Sequence, residues 1–163
     1  MNIVFDFGNV LVEWNPARLI EFHYAAADGR AHFPEALADT LIKHVLPVHD
    51  SAVALMQELA DGQHGGHRVL YLSNMPVAFA DVLEARCPWI ARFESGIFSG
   101  RVNLAKPDDA IFAAAEQTLG LNPAETLFLD DSVRNVHAAR ARGWQAAVID
   151  SPHSVQHGVL NLP

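Results

Sequence analysis

The chain has 163 residues, 50% of them apolar and 18% charged, a length that suits one domain built on a single core. Eleven basic residues against nineteen acidic ones give a net charge of −8, which excludes nucleic acid or an anionic membrane as a partner held by bulk electrostatics. With no long apolar run, no basic segment ahead of an apolar one and a single cysteine, Cys87, the expectation is a soluble cytoplasmic protein without a disulfide.

In chain order, Asn2 to Phe7 is an apolar run whose only charge, Asp6, lies near its C-terminal end, as expected for a strand buried on both faces. The pattern returns three times: "RVLYL" from Arg68 to Leu72 stops at Ser73 and Asn74, "TLFL" from Thr126 to Leu129 stops at Asp130 and Asp131, and "QAAVI" from Gln145 to Ile149 stops at Asp150. Helical spacing covers Ser51 to Ala60, Pro76 to Ala85, Asp108 to Leu119 and Val133 to Arg142, the last ended by Gly143. Strands alternating with helices of this length predict a parallel sheet covered on both sides, with ligands beyond the C-terminal strand ends. The tail after Asp150 reads as irregular.

Glu13 to Val48 differs in kind. It holds two helix-patterned stretches, "NPARLIEFHYAAA" and "PEALADTLIKHVL", around the turn-rich "DGRAHF", and reads as an inserted helical hairpin too small to be a domain. Residues 1–163 are therefore one domain with a reduced insertion at about 13–48. The nine histidines are scattered, and the pair four apart, His153 and His157, lies in a poorly helical tail, so a histidine metal site is not expected.

The strand ends carry the chemistry. A carboxylate there can attack phosphorus or ligate a hard cation, and Asp6, Asp130 and Asp131 supply donors suited to Mg²⁺. Packed together they would repel one another, a problem that a divalent ion relieves. Ser73 and Asn74 precede a helix N-terminus, where a hydroxyl and backbone amides can hold phosphate. Lys106, ahead of Pro107 and Asp108 at another helix start, adds a point positive charge.

The ordered set "VFDFGNVLVEW", "VLYLSN", "AKPDDAIF" and "TLFLDDSVRNVHAARARGW" resembles the four motifs of the haloacid dehalogenase (HAD) superfamily of hydrolases. The resemblance implies a Rossmann-like three-layer α/β/α sandwich with a parallel sheet and a short helical cap inserted after the first motif. It implies an Mg²⁺-dependent phosphatase acting on a small phosphorylated metabolite, such as a sugar phosphate, through an aspartyl-phosphate. Asp6 would be nucleophile and metal ligand, and Ser73, with Asn74, would bind the phosphoryl group. Lys106 would steady nucleophile and phosphoryl group alike. Asp131 would ligate the metal, with Asp130 and Asn135 close behind through water and the Gly8 carbonyl as a further ligand. Asn9 is placed with the substrate-binding residues.

Two features depart from the common pattern. Most phosphatases of the superfamily carry a second aspartate, a general acid, where this chain has Gly8, and Asn9-Val10 replaces the usual Gly-Thr or Gly-Val. The "DxGNV" form resembles the branch containing bacterial α-D-glucose-1-phosphate phosphatase. Without that acid, good leaving groups are favoured over alkoxides; Glu13, His23 and water are the candidate substitutes. Trp14, Phe22 and Tyr24 read as core aromatics or as a substrate-pocket lining. Two competing readings stand beside phosphatase: metal-independent dehalogenation, which the Asp130-Asp131 pair opposes, and a degenerate binding protein without turnover.

Overall fold

The computed structural model describes residues 1–15, 47–151 and 154–160. The helical hairpin expected between Glu13 and Val48, with Phe22, His23 and Tyr24, lies almost wholly outside the described residues.

The four apolar runs form strands: β1 (Asn2–Phe5), β2 (Arg68–Ser73), β4 (Thr126–Asp130) and β5 (Gln145–Val148), with β3 (Ser95–Phe98) added at one edge. All pairings are parallel, in the order β3-β2-β1-β4-β5. The chain builds outward from β1 to β2 and β3, then returns to the other side of β1 for β4 and β5. The strand order thus reverses between β1 and β4, the place where open α/β sheets form a crevice at their C-terminal ends. Phe5 pairs with both Tyr71 and Leu129, so Asp6 leaves β1 level with the end of β4.

Alternation along the strands divides the interior into two cores. Ile3, Phe5, Val69, Leu127 and Leu129 face one, where they meet α1 (Asp50–Ala60), α2 (Val77–Arg86) and α6 (Ser154–Leu160). Val4, Leu70, Leu72 and Phe128 face the other, against α4 (Asp109–Leu119) and α5 (Val133–Ala141). A four-residue helix, α3 (Ser99–Val102), follows β3 directly. This is the three-layer α/β/α sandwich with a parallel sheet expected from the sequence.

Two elements differ from expectation. β3 was not anticipated, because its sequence SGIF offers only two buried apolar residues after a half-exposed Ser-Gly start. Gly96 is required there: a Cβ would fall 2.3 Å from the Tyr71 ring of the neighbouring strand. The tail after Asp150, expected to be irregular, contains α6, whose Val155 and Val159 are buried at helical i,i+4 spacing. Pro152 and Gly158 had hidden that pair.

After β1 the chain makes a tight loop. The amides of Val10, Leu11 and Val12 all donate to the Phe7 carbonyl, and Asn9 takes a left-handed φ of 56° that asparagine tolerates. Val12 then pairs antiparallel with Val48, Glu13 N–H donates to Pro47 O at 2.8 Å and His49 N–H to Leu11 O at 2.8 Å. Residues 13 and 47 thus leave and rejoin the core side by side.

Candidate active site

The C-terminal strand ends bring Asp6, Ser73, Lys106, Asp130 and Asp131 together. Lys106 is the centre of the arrangement. Its side chain is 1% exposed, and its ammonium donates to the Leu72 carbonyl at 2.8 Å and to Asp130 Oδ2 at 2.6 Å. It also lies 3.0 Å from Asp6 Oδ1 and 5.1 Å from the centroid of the Phe128 ring. The buried lysine is therefore fully engaged and fixed as a charge between two carboxylates.

Asp130 is wholly buried, yet every part of its carboxylate is satisfied. Oδ1 accepts from the Ser132 amide at 2.8 Å, and Asn135 Nδ2 donates to both oxygens at 2.9 and 3.1 Å. Asn135 thus contacts Asp130 directly, whereas the sequence reading placed it near the metal through water. Asp131, the next residue, turns toward the cleft and accepts from Asn9 Nδ2 at 2.8 Å.

The side chains of Asn74 and Asn9 also link neighbouring loops. The Asn74 amide accepts from the Lys106 backbone N–H and donates to the Lys106 carbonyl, both at 2.8 Å, and so clamps the lysine's main chain to the end of β2. The Asn9 amide, while donating to Asp131, accepts from the Trp14 N–H at 3.0 Å. Both side chains line the cleft with their hydrogen-bonding ends already used by protein. The backbone of the β2 loop is held as well: Met75 N–H donates to Ser99 Oγ at 3.0 Å, and Gly100 N–H to Met75 O at 3.1 Å.

Burial raises the Asp6 pKa above the ordinary carboxyl value. The Lys106 charge opposes the rise, the Asp130 charge adds to it, and a hydrogen bond from Ser73 lowers it. Asp6 Oδ1 is buried and, although it lies 3.0 Å from the Lys106 ammonium, accepts no well-directed hydrogen bond. Donor atoms of Asp6, Asp130 and Asp131 all lie within 4.8 Å of one another. An orphaned carboxylate oxygen in a cluster of three acids and one lysine fits a hard divalent cation, which would supply the missing positive charge and ligand.

These residues line a cleft of about 160 Å³ together with Gly8, Trp14 and Met75. A carboxylate, a buried ammonium, a hydroxyl and a cation-binding cluster around one small cleft can hold a phosphoryl group and attack it. Glu13 is not among the lining residues, and His23 is outside the described ones.

A parallel sheet of this order, with an acid after its first strand and an acid pair at the end of its fourth, is a three-layer α/β/α domain with its acidic cluster at the C-terminal strand ends. Residues 5–143 match the model of the haloacid dehalogenase-like hydrolases, and the chain belongs to that family. It is 31% identical over 103 residues to the N-acetylmuramic acid 6-phosphate phosphatase of Pseudomonas putida, covering 63% of this chain and 46% of that protein. It is 27% identical over 107 residues to a drimenol cyclase of Aspergillus calidoustus, covering 66% of this chain and 20% of that protein. The chain therefore spans from a fifth to about half of the length of these relatives. The fold is shared with a HAD family enzyme from Bacteroides thetaiotaomicron solved with magnesium and inorganic phosphate: TM-score 0.75, 19% identity, 92% of this chain and 94% of that one.

Proposed function

We propose that this protein is a Mg²⁺-dependent phosphohydrolase of small phosphorylated metabolites, sugar phosphates among them, working through an aspartyl-phosphate on Asp6. The observation that carries the reading is the placement of Lys106 Nζ, 3.0 Å from Asp6 and 2.6 Å from Asp130, inside a carboxylate cluster that needs a cation. The magnesium and phosphate held by the Bacteroides enzyme and the phosphatase activity named for the Pseudomonas relative support it.

In this reading one Asp6 oxygen attacks phosphorus as the ester P–O bond breaks, and the leaving oxygen keeps the bonding electron pair. Ser73 and the Asn74 backbone amide hold the non-bridging phosphoryl oxygens, while Lys106 offsets charge on both Asp6 and the phosphoryl group. Water then attacks the aspartyl-phosphate, giving orthophosphate and restoring Asp6. Asp6, Asp131 and the Gly8 carbonyl would hold the cation, with Asp130 behind them, and the cation would supply charge stabilisation for the phosphoryl oxygens. Asp130 anchors Lys106 at the same time. Gly8 offers no proton, so the leaving oxygen takes one from water, and phenols or anomeric hydroxyls depart more readily than simple alkoxides. This agrees with the branch suggested by "DFGNV", and we read the segment at about 13–48 as a small cap beside the site.

The decisive experiment is hydrolysis of p-nitrophenyl phosphate by the purified protein with Mg²⁺ or with EDTA, alongside Asp6→Asn. The expected result is turnover lost both on chelation and in the variant. Activity indifferent to metal and to Asp6 would sink the proposal, and halide release from a 2-haloacid in EDTA would replace it with dehalogenation.

A further inference from the structure

The cleft lining combines charged and polar side chains, Asp6, Ser73, Lys106 and Asp131 among them, with the uncharged Gly8, Trp14 and Met75, and Trp14 is its aromatic residue. A Cβ placed on Gly8 would lie 3.4 Å from Trp14 Cβ and 3.8 Å from its Cγ. The Trp14 side chain therefore borders the space that any side chain at position 8 would enter. Glycine leaves that flank of the tryptophan open to the cleft.

Trp14 is also held in place. Its backbone N–H donates to Asn9 Oδ1, and its indole meets the Phe79 ring of α2 edge-on, with centroids 6.0 Å apart at 83°. An aromatic side chain fixed on both counts presents a preorganised surface, which loses little freedom when a ligand binds. Once a phosphoryl group sits against Asp6, Ser73 and Lys106, its leaving group meets the rest of the lining, Trp14 included. The cleft, of about 160 Å³, is large enough for a phosphoryl group with part of its leaving group inside.

Resting on the phosphohydrolase reading, we propose that Trp14 is a specificity-determining residue, its indole receiving a ring with an apolar face on the leaving group of a small phosphate monoester. Aromatic rings and pyranoses both offer such a face. The two halves of the inference converge. The same Gly8 that provides no acid uncovers a surface for phenolic and anomeric leaving groups, the ones that depart with little protonation.

Calorimetric titration of the Mg²⁺-loaded protein with methylphosphonate, benzylphosphonate and a glucose C-phosphonate tests this, because the C–P bond is not hydrolysed. At least one ring phosphonate should bind about 5- to 10-fold more tightly than methylphosphonate, and the tighter one identifies the ring type. The preference should vanish in Trp14→Ala and in Trp14→Leu, which keeps apolar bulk, and persist in Trp14→Phe, while methylphosphonate affinity stays within about twofold. Equal binding of all three ligands, or a preference that survives Trp14→Leu, overturns the proposal. If none of the three binds, the phosphoryl cradle is absent and the phosphohydrolase reading falls with it.

Discussion

At the scale of single residues, Gly8 and Asp6 pose opposite problems of charge. Gly8 lacks an acid, yet it does not need to be glycine: its φ is not positive, and an added Cβ would make only ordinary contact with Trp14 at 3.4 Å. Gly8→Asp should therefore fold and should raise kcat on alkyl phosphates toward the 10²- to 10⁴-fold typical of general acid help. Aryl phosphates should gain far less, and the ratio of the two rates is the measurement. Asp6 carries a charge that burial disfavours. Its raised pKa means that, between the ordinary carboxyl value and the raised one, the folded state holds a proton that the unfolded state has lost. Stability contributed by this group therefore falls as pH rises through that window. In EDTA at neutral pH, Asp6→Asn should melt above the wild type, at about 2–4 °C for each kcal/mol gained, and the two should converge near pH 3. Mg²⁺ should then raise the melting temperature of the wild type much more than that of the variant.

At the scale of elements, the site is a meeting of loops, each tied to its neighbour by hydrogen bonds of side chain or backbone. Asn74 joins the β2 loop to Lys106, Asn9 joins the β1 loop to Asp131, and Ser99 with Gly100 joins the start of α3 to the β2 loop. The last contact is close: a Cβ on Gly100 would lie 2.9 Å from both Met75 O and Val77 N. Backbone cannot yield as a flexible side-chain end does, so Gly100→Ala should displace the loop that follows Ser73. It should cost about 1–3 kcal/mol, read as a lower melting temperature, and should weaken orthophosphate binding measured by calorimetry. These ties explain why part of the site could not be read in advance. Asp6, Ser73, Lys106 and the Asp130-Asp131 pair announce themselves as polar residues at the ends of apolar runs or at helix starts. Asn9 is named from the sequence as a substrate-binding residue, but its bond to Asp131 is not legible there, because the partner is 122 positions away. The clamp of the Asn74 amide on Lys106, 32 positions away, is likewise not legible in the sequence.

At the scale of the molecule, cohesion and chemistry occupy opposite ends of the sheet. At the N-terminal edge Arg68 donates to Leu119 O at 2.9 Å and to Gly120 O at 3.4 Å, and so caps α4. The same side chain reaches Asn2 Oδ1 and pairs with Glu94, joining β1, β2 and the approach to β3. The acids and Lys106 stand at the other edge. The layers were legible because the central strands β1 and β4, buried throughout, and the mostly buried β2 leave apolar runs, and β5 at the edge still reads as a short apolar stretch. β3 and α6 were not, since an edge strand of four residues and a helix with one buried i,i+4 pair carry too little pattern to outweigh Gly96, Pro152 and Gly158.

The pairing of Val12 with Val48 sets how this architecture can vary. Among the described residues, the two ends of the chain on either side of residues 16–46 are joined by that pairing and by the Glu13–Pro47 and Leu11–His49 hydrogen bonds. Replacing residues 16–46 with a short glycine-rich turn should leave the sheet folded, checked by circular dichroism and a cooperative melt, while changing the order of preference among phosphorylated substrates. Loss of the cooperative melt would show that the core depends on the segment. A neck closed by backbone pairing keeps its two ends in register whatever lies between them, so that the length and content of the inserted segment can drift while the strand that carries Asp6 stays where it is.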